Sequence, residues 1–372
     1  MSKLKVALLA NLKKNAPKFP GMADDHWDDL DSETTVEALL AAIRAGGHEG
    51  VFHEGNADLY DRLRDDRPDL CFNICEGHFG DGREAQVPAL LEMLRLPYTG
   101  SRVMTLALAL DKPMTKRVLM WHDLPTPAFQ SFESPDEPLD DDMQFPLFVK
   151  PSREGTGMGV SAKSIVNNEQ ELREQLIYIL NRYKQTALVE RYIAGREVTV
   201  GIVGNISGVA ARRLPSRFYS KQRDYSEAGL AALKAGGMTF LPPLEIDLAP
   251  FQETDAVYSN RLKTDLADQV GYMCPAPLEG KQVQELNWLT AAVFRVMGCY
   301  DVSRVDFRLD ESDHYKPYIL EINPLPGLAP GISDLVIEAD ALHISHIELV
   351  NLILETAIAR HGLASGRFVS TQ

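Results

Sequence analysis

Residues 148–163, FVKPSREGTGMGVSAK, place a lysine at the end of an apolar run and follow it with three glycines at alternate positions. Glycines spaced in this way let a backbone turn its N–H groups to one side without Cβ clashes, and such a concave row attracts phosphate or carboxylate oxygens. Neither familiar nucleotide loop is present. No lysine follows Gly155, which excludes G-x-x-x-x-G-K-[ST], and Gly155, Gly157 and Gly159 spell G-x-G-x-G rather than G-x-G-x-x-G. Lys150 instead precedes the loop, at the end of a strand-like run. A flexible surface turn is the alternative that this stretch alone leaves open.

A second chemically suggestive stretch is VSRVDFRLDESDHYKPYILEINP, residues 302–324. It reads as two strands around a polar turn. Arg304, Asp306 and Arg308 share one face of the first strand and Val305, Phe307 and Leu309 the other, while Ile319, Glu321 and Asn323 fall together on the second. Closure about Asp313 and His314 sets Asp306 opposite Glu321 and Arg304 opposite Asn323, with Cβ atoms roughly 5 Å apart. Two carboxylates that close require a cation or a proton between them. Oxygen donors without cysteine or histidine suit Mg²⁺, which completes its octahedron with phosphate and water. Arg304 balances charge there or stabilises an oxyanion. An Arg-Asp-Glu network on an ordinary hairpin is the plainer alternative.

The elements that must position these groups are legible from pattern. In the first hundred residues the strand-like runs KVALLA, GVFHEG and DLCFNIC surround a helix, TTVEALLAAIRAGG, with Val36, Leu39, Leu40 and Ile43 on one face. Thr34 and Glu37 offer a capping box, and Gly46-Gly47 a stop. This β-α-β pattern predicts a parallel sheet. Pro113 fits the first turn of a new helix. A compact α+β unit follows, about 112–194, containing the glycine loop, a helix with Leu172, Leu176 and Ile179 in register, and the strand TALVERYI. The remainder, from 195 to 372, opens on the strand EVTVGIVG and carries two long helices. Between 206 and 257 the pattern weakens, and Arg212, Arg213, Arg217, Lys221, Arg223 and Lys234 make the stretch locally basic. It reads as a solvated insertion or as a lid over an anionic substrate. The chain therefore divides into an N-terminal α/β domain, 1–111, and two further units.

Composition bounds the function. With 38 basic and 53 acidic residues, the net charge of −15 argues against nucleic acid as a general partner. No apolar run approaches the ~18 residues of a membrane helix, and MSKLKVALLA has the pattern of a first strand rather than a signal peptide; the expectation is a soluble, cytoplasmic protein. Four cysteines without C-x-x-C spacing are expected reduced and buried. His343 and His346, three apart where a helix begins, are expected to be ordinary helix-terminus residues.

Taken together, LRLPYTGSRVMTLALALDKPMTKRVL, PLFVKPSREGTGMGVS, ALVERYIAGREVTVGI, RVDFRLD and YILEINPLPG resemble, in order, motifs of the D-alanine-D-alanine ligase family of the ATP-grasp superfamily. The resemblance implies three domains, with the nucleotide clasped between the central and C-terminal ones, and often a homodimer. It implies that Lys112 and Lys150 reach the phosphates of ATP, with Glu154, Gly155, Gly157 and Gly159 in the loop above them. Glu190 and the backbone near Ile193 would bind the adenine edge, Leu320 would line its pocket, and Glu197 would hold the ribose. Asp306, Glu321 and Asn323 would bind two Mg²⁺ ions, with Mn²⁺ an alternative, and Arg304 would face a tetrahedral intermediate. YSNRLKTDL resembles a loop closing over the γ-phosphate and nominates Lys263. Thr156 and Thr264 stand where the family places hydroxyl partners of the amino-acid substrate, Thr264 replacing a tyrosine.

Departures cluster at the amino-acid end. In FNICEGHFGDGREAQVPALLE, Glu76 occupies the place of the family's histidine, with His78 two residues later. Glu33 is the nearest candidate for the glutamate that meets the first ammonium group. After EINPLPG and its Gly327, the serine expected to bind the acceptor carboxylate comes one place late, as Ser333, beside Asp334. Glu76, Arg83 and Gln86 form a different specificity wall or, alternatively, a solvated helix N-terminus. The expected activity is ATP-dependent joining of a carboxylate to an amine through an acylphosphate, on small amino-acid substrates. The alternatives are an acyl kinase or amide-forming ligase acting on another acid, and a nucleotide-binding module without turnover.

Overall fold

The computed structural model describes residues 3–206, 227–247 and 271–363, arranged around three sheets. In the first, β1 (Lys5–Ala10), β2 (Glu49–Glu54) and β3 (Leu70–Asn73) run parallel in the order β2-β1-β3. The central strand β1 is buried on both faces, which accounts for its unbroken apolar run. Val6, Leu8 and Ala10 pack with α1 (Glu33–Ala45), and Ala7 and Leu9 face α2 (Leu59–Asp66) and α3 (Gln86–Leu94). Helix α1 stops at Gly46-Gly47 as the sequence predicts. Its cap is Ser32, however, whose hydroxyl accepts from the Thr35 amide at 3.1 Å, so Thr34 and Glu37 lie within the helix.

Helices α4 (Val103–Leu110) and α5 (Lys112–Trp121) lead onward, with Pro113 in the first turn of α5 and Asp111 capping it at 2.9 Å. The second sheet is antiparallel, formed by β4 (Phe129–Phe132), β5 (Leu147–Pro151), β6 (Ile165–Val166) and β7 (Ala187–Arg191) in the order β4-β7-β5-β6. Helix α6 (Glu169–Arg182) covers it through Leu172, Leu176 and Ile179. Helix α5 packs elsewhere: Leu119 is buried in the core of the third sheet.

That third sheet comprises β8 (Gly195–Val203), β9 (Thr239–Phe240), β10 (Leu244–Asp247), β11 (Gly271–Met273), β12 (Val302–Asp310) and β13 (Lys316–Asn323). Its main path runs β11-β10-β8-β12-β13. Helices α7 (Glu227–Ala235) and α8 (Gly280–Val296) back it, and α9 (Asp334–Asp340) and α10 (His346–Arg360) close the chain. The described part of 206–257 corrects the reading of that stretch as a solvated insertion. Strands β9 and β10 join the sheet, and Leu233, Met238 and Phe240 enter its core. Arg212, Arg213, Arg217, Lys221, Arg223, Lys263 and Thr264 lie outside the described residues. Helix α10 returns to α1, where the Asn351 amide donates to the Ala42 carbonyl at 2.9 Å.

Among the described residues no helix is long and apolar enough to cross a membrane. The four cysteines are free, three of them buried and Cys274 half-buried. His346 bonds the Leu328 carbonyl, eighteen residues earlier, at 2.9 Å.

Candidate active site

The β12–β13 hairpin pairs Arg304 with Asn323 and Asp306 with Glu321, the pairing expected from sequence. It does so by another route. The register nearer the turn sets Phe307 opposite Ile319, and a β-bulge leaves Leu320 without a partner. The extra residue reverses the alternation on β13, so Ile319 joins Phe307 in the core and does not share the face of Glu321 and Asn323. The displaced Leu320 lines the cleft between the second and third sheets.

That cleft collects most of the predicted nucleotide residues: Lys112 from the start of α5, Lys150 from β5, Glu190 from β7, Glu197 from β8, and Asp306 with Glu321. Gly155, Gly157 and Ile193 contribute to its walls. Lys150 reaches Glu190 at 2.7 Å, Lys112 reaches Glu321 at 3.1 Å, and the Lys112 ammonium donates to the Glu154 carbonyl at 2.5 Å. Burial alone would raise the Glu190 carboxyl, but two lysines outweigh it and hold the group below the usual carboxylate range. The second lysine is Lys116, fully buried, paired with Glu190 and donating to the Thr126 hydroxyl at 2.8 Å. Sequence reasoning missed it, although its spacing of four from Lys112 places both on one face of α5. Glu197 pairs with Arg308 at 3.2 Å.

The acidic pair is held by its neighbours. Asp306 takes both Nε and Nη2 of Arg304 at 2.9 Å, and the Thr199 hydroxyl donates to it at 2.7 Å. Arg304 also pairs with Asp334 at 3.1 Å, above the fully buried Glu338, whose carboxyl burial pushes well up. The Arg304 guanidinium therefore lines a side cleft with Asp334 and Thr199 rather than the main one, and in this conformation it fixes Asp306. The donor set is oxygen only, and no group of three or more His, Cys, Asp or Glu among the described residues forms a metal cage. Two carboxylates and an amide fit a cation such as Mg²⁺ that retains waters and borrows phosphate oxygens.

The glycine loop differs from expectation in one respect. Thr156, Gly157 and Gly159 have φ of 51°, 68° and 73°, the left-handed conformation that glycine adopts readily. The Gly159 amide, however, donates away from the cleft to Asp25 at 3.0 Å, and Asp25 also accepts from the Tyr183 hydroxyl at 2.9 Å. A Cβ on Gly159 would sit 2.6 Å from Pro151 Cγ. Gly159 thus packs the loop against the sheet and does not present its N–H to a ligand.

At the amino-acid end the structure sorts the candidates. Glu76, Thr156, Glu154, Lys112, Glu321 and Asn323 line one pocket, joined there by Asp29, which sequence reasoning had not placed, and by Glu84, which the alternative reading had left solvated at a helix N-terminus. Asp29 comes from the turn before α1 and Glu84 from the 3-10 turn before α3, where only tertiary packing reveals their direction. Glu76 follows β3 and is set by Gly77, whose amide donates to Asn11 at 2.9 Å and whose Cβ would strike the Arg83 carbonyl oxygen at 2.4 Å. Arg83 is buried, not solvated: it pairs with Asp29 at 3.1 Å and Glu154 at 3.2 Å and donates to the Arg153 carbonyl at 2.8 Å, tying the turns before α1 and α3 to the glycine loop. Gln86 instead donates to the Phe79 carbonyl at 2.7 Å on the surface. Glu33 is not brought to the pocket. It stands exposed in the first turn of α1, paired with Lys14, because the preceding chain turns Asp29 inward in its stead. Ser333 is likewise turned into its own loop, its hydroxyl accepting from the Ala329 amide at 2.9 Å and lying 2.9 Å from where a Cβ on Gly327 would sit.

Two antiparallel sheets facing across a cleft, a glycine-rich loop and lysines on one side and paired carboxylates on the other, define the ATP-grasp class. The fold agrees with that of the D-alanine–D-alanine ligase of Bacillus anthracis, solved in complex with ATP, at a TM-score of 0.67 and 20% identity over 97% of this chain and 99% of that one. The family model for the C-terminus of D-ala D-ala ligase matches residues 118–238 and 227–355. The chain is 30% identical to the D-alanine–D-alanine ligase of Pelotomaculum thermopropionicum over 88% of this chain and 92% of that protein. It is 32% identical to the uncharacterized protein y4sG of Sinorhizobium fredii, over 88% of each. The chain belongs to the D-alanine–D-alanine ligase family and is an ATP-dependent ligase of that type.

Proposed function

We propose that the protein joins the carboxylate of one small amino acid to the amine of another through an acylphosphate. The observation that carries this reading is the pairing of Asp306 with Glu321 in a cleft that also holds Lys112 and Lys150. Lys150 and Lys112 orient the phosphates of ATP, and Glu190 holds Lys150 in place. Glu197 is available to the ribose hydroxyls, and Leu320 and Ile193 supply apolar surface for the base. Asp306, Glu321 and Asn323 would hold Mg²⁺, which offsets negative charge on a phosphoryl group in transfer. The substrate carboxylate attacks the γ-phosphorus, ADP leaves, and the amine then displaces phosphate from the acyl carbon. Because an acylphosphate hydrolyses, the site must exclude water, and a lid is required. Lys263 and Thr264 belong to the segment we assign to that lid.

The test is ADP release by the full chain with Mg²⁺ and a panel of amino acids, with mass spectrometry of the product. Release that requires both an acid and an amine supports ligation; release with an acid alone makes the protein an acyl kinase. Lys150→Ala and Glu321→Gln should each lower turnover at least about 100-fold by removing transition-state charge stabilisation. Their far-UV circular dichroism should stay native, and near-normal turnover in either would sink the assignment.

A further inference from the structure

The pocket beyond the metal ligands is more acidic than one amino acid requires. Among the described residues five carboxylates line it, Asp29, Glu76, Glu84, Glu154 and Glu321, against one ammonium, Lys112. Three of the five have partners: Lys112 meets Glu321, and Arg83 behind the wall meets Asp29 and Glu154. No hydrogen bond or ion pair from a described residue reaches the side chains of Glu76 and Glu84. Independently, Asp29 is 7% exposed, and its Oδ1 is a buried oxygen without a hydrogen-bond partner, although its Oδ2 is held by Arg83. Like charges gathered in this way are destabilising without a cation or protons. Burial and the neighbouring carboxylates push Glu76 well above the usual carboxylate range, and burial pushes Glu84 up to about 7. No group of three or more of these carboxylates forms a metal cage among the described residues.

The place in the fold agrees. Strand order β2-β1-β3 makes the carboxyl ends of β1 and β3 a topological switch point, where open α/β sheets bind ligands. Asn11 follows β1 directly, and Glu76 comes three residues after the end of β3. The opposite wall is Thr156, Glu321 and Asn323, so a molecule in the pocket extends from the phosphoryl-transfer end to the acidic end.

Resting on the ligase reading above, we propose that the acid substrate is a short diamino acid, its carboxylate directed toward Glu321 and Asn323 and its two ammonium groups among Glu76, Glu84 and the unpartnered oxygen of Asp29. A neutral amino acid brings one ammonium and leaves carboxylates unmatched. A diamino acid brings two, and its reacting carboxylate still meets the phosphoryl group.

The experiment compares 2,4-diaminobutyrate, ornithine and alanine, each as both enantiomers, in ADP release by the full chain at saturating ATP and Mg²⁺. The best diamino acid should exceed alanine in kcat/KM by at least about 30-fold, as expected for a desolvated charge pair gained. Glu76→Gln and Glu84→Gln should each erase about 10-fold of that preference through KM for the acid, with KM for ATP unmoved. Equal or better use of alanine would overturn the diamino assignment and leave the ligase reading intact. If no acid releases ADP, the ligase reading fails, and calorimetric titration of diaminobutyrate against alanine, with Mg²⁺ and a nonhydrolysable ATP analogue, decides the pocket. Binding of diaminobutyrate at least about 10-fold tighter than alanine and weakened by Glu76→Gln sustains the proposal; equal binding ends it.

Discussion

Individual side chains in this protein are governed by how charge is shared across buried ground. Glu190 stays ionised because two lysines flank it, whereas Asp31, beside Asp29 and with no such partner among the described residues, is pushed up to about 7 by burial and by its neighbour's charge. The sign for stability follows. The folded chain keeps a proton on Asp31 that the unfolded chain releases above its ordinary value of 3.8. The stability linked to that proton is complete below about 4 and is lost as pH rises through about 7. Chemical denaturation at pH 5 and pH 8 should therefore show Asp31→Asn losing less stability across the interval than the parent, by on the order of 2 kcal/mol after allowance for partial solvent contact. An identical pH slope in both proteins would show that Asp31 is not the group responsible. The same logic separates residues that type and spacing reveal from those they hide. Lys150 and Asp306 stand in patterned strands, but Asp29 and Glu84 lie in irregular turns with no periodicity to give their direction.

At the scale of elements, two backbone devices shape the cleft. The bulge at Leu320 re-aims one side chain into the cleft and restores the pairing of Asp306 with Glu321. The glycine loop is pinned by Gly159, whose φ of 73° and contact with Pro151 leave no room for a side chain. Gly159→Ala should cost roughly 1–3 kcal/mol in denaturant unfolding. Gly155, with ordinary φ and open space around its Cβ position, should accept alanine within roughly 0.5 kcal/mol. Equal costs at the two positions would show that the loop is not anchored through Gly159. Helix starts behave similarly: Pro113 marks the start of α5 from sequence alone, whereas Ser32 displaces Thr34 as the cap of α1 by one hydroxyl contact.

At the scale of the whole molecule, Asp301 ties together segments far apart in sequence. Fully buried, it accepts from Arg360 of α10 at 2.6 and 3.0 Å, from the Gly100 amide at 2.9 Å and from the Asn205 side chain at 2.8 Å. Removing one partner of such a network strands a buried charge, so Asp301→Ala should destabilise by about 3–5 kcal/mol. A denaturation midpoint close to that of the parent would show that Arg360 finds other partners. Long-range ties of this kind join segments two hundred residues apart and leave no periodic trace. What sequence alone determined here was local chemistry and order: the parallel first sheet, the lysine and glycine loop, the hairpin carboxylates and the family they resemble, because pleat, helix repeat and turn preference act over a few residues. Tertiary structure decided which acids face the substrate: Asp29, Glu76 and Glu84 turn inward and Glu33 outward, Ser333 folds onto its own loop, and Lys116 is buried against Glu190. Direction into a shared pocket depends on the packing of distant segments, and that is set only when the sheets come together.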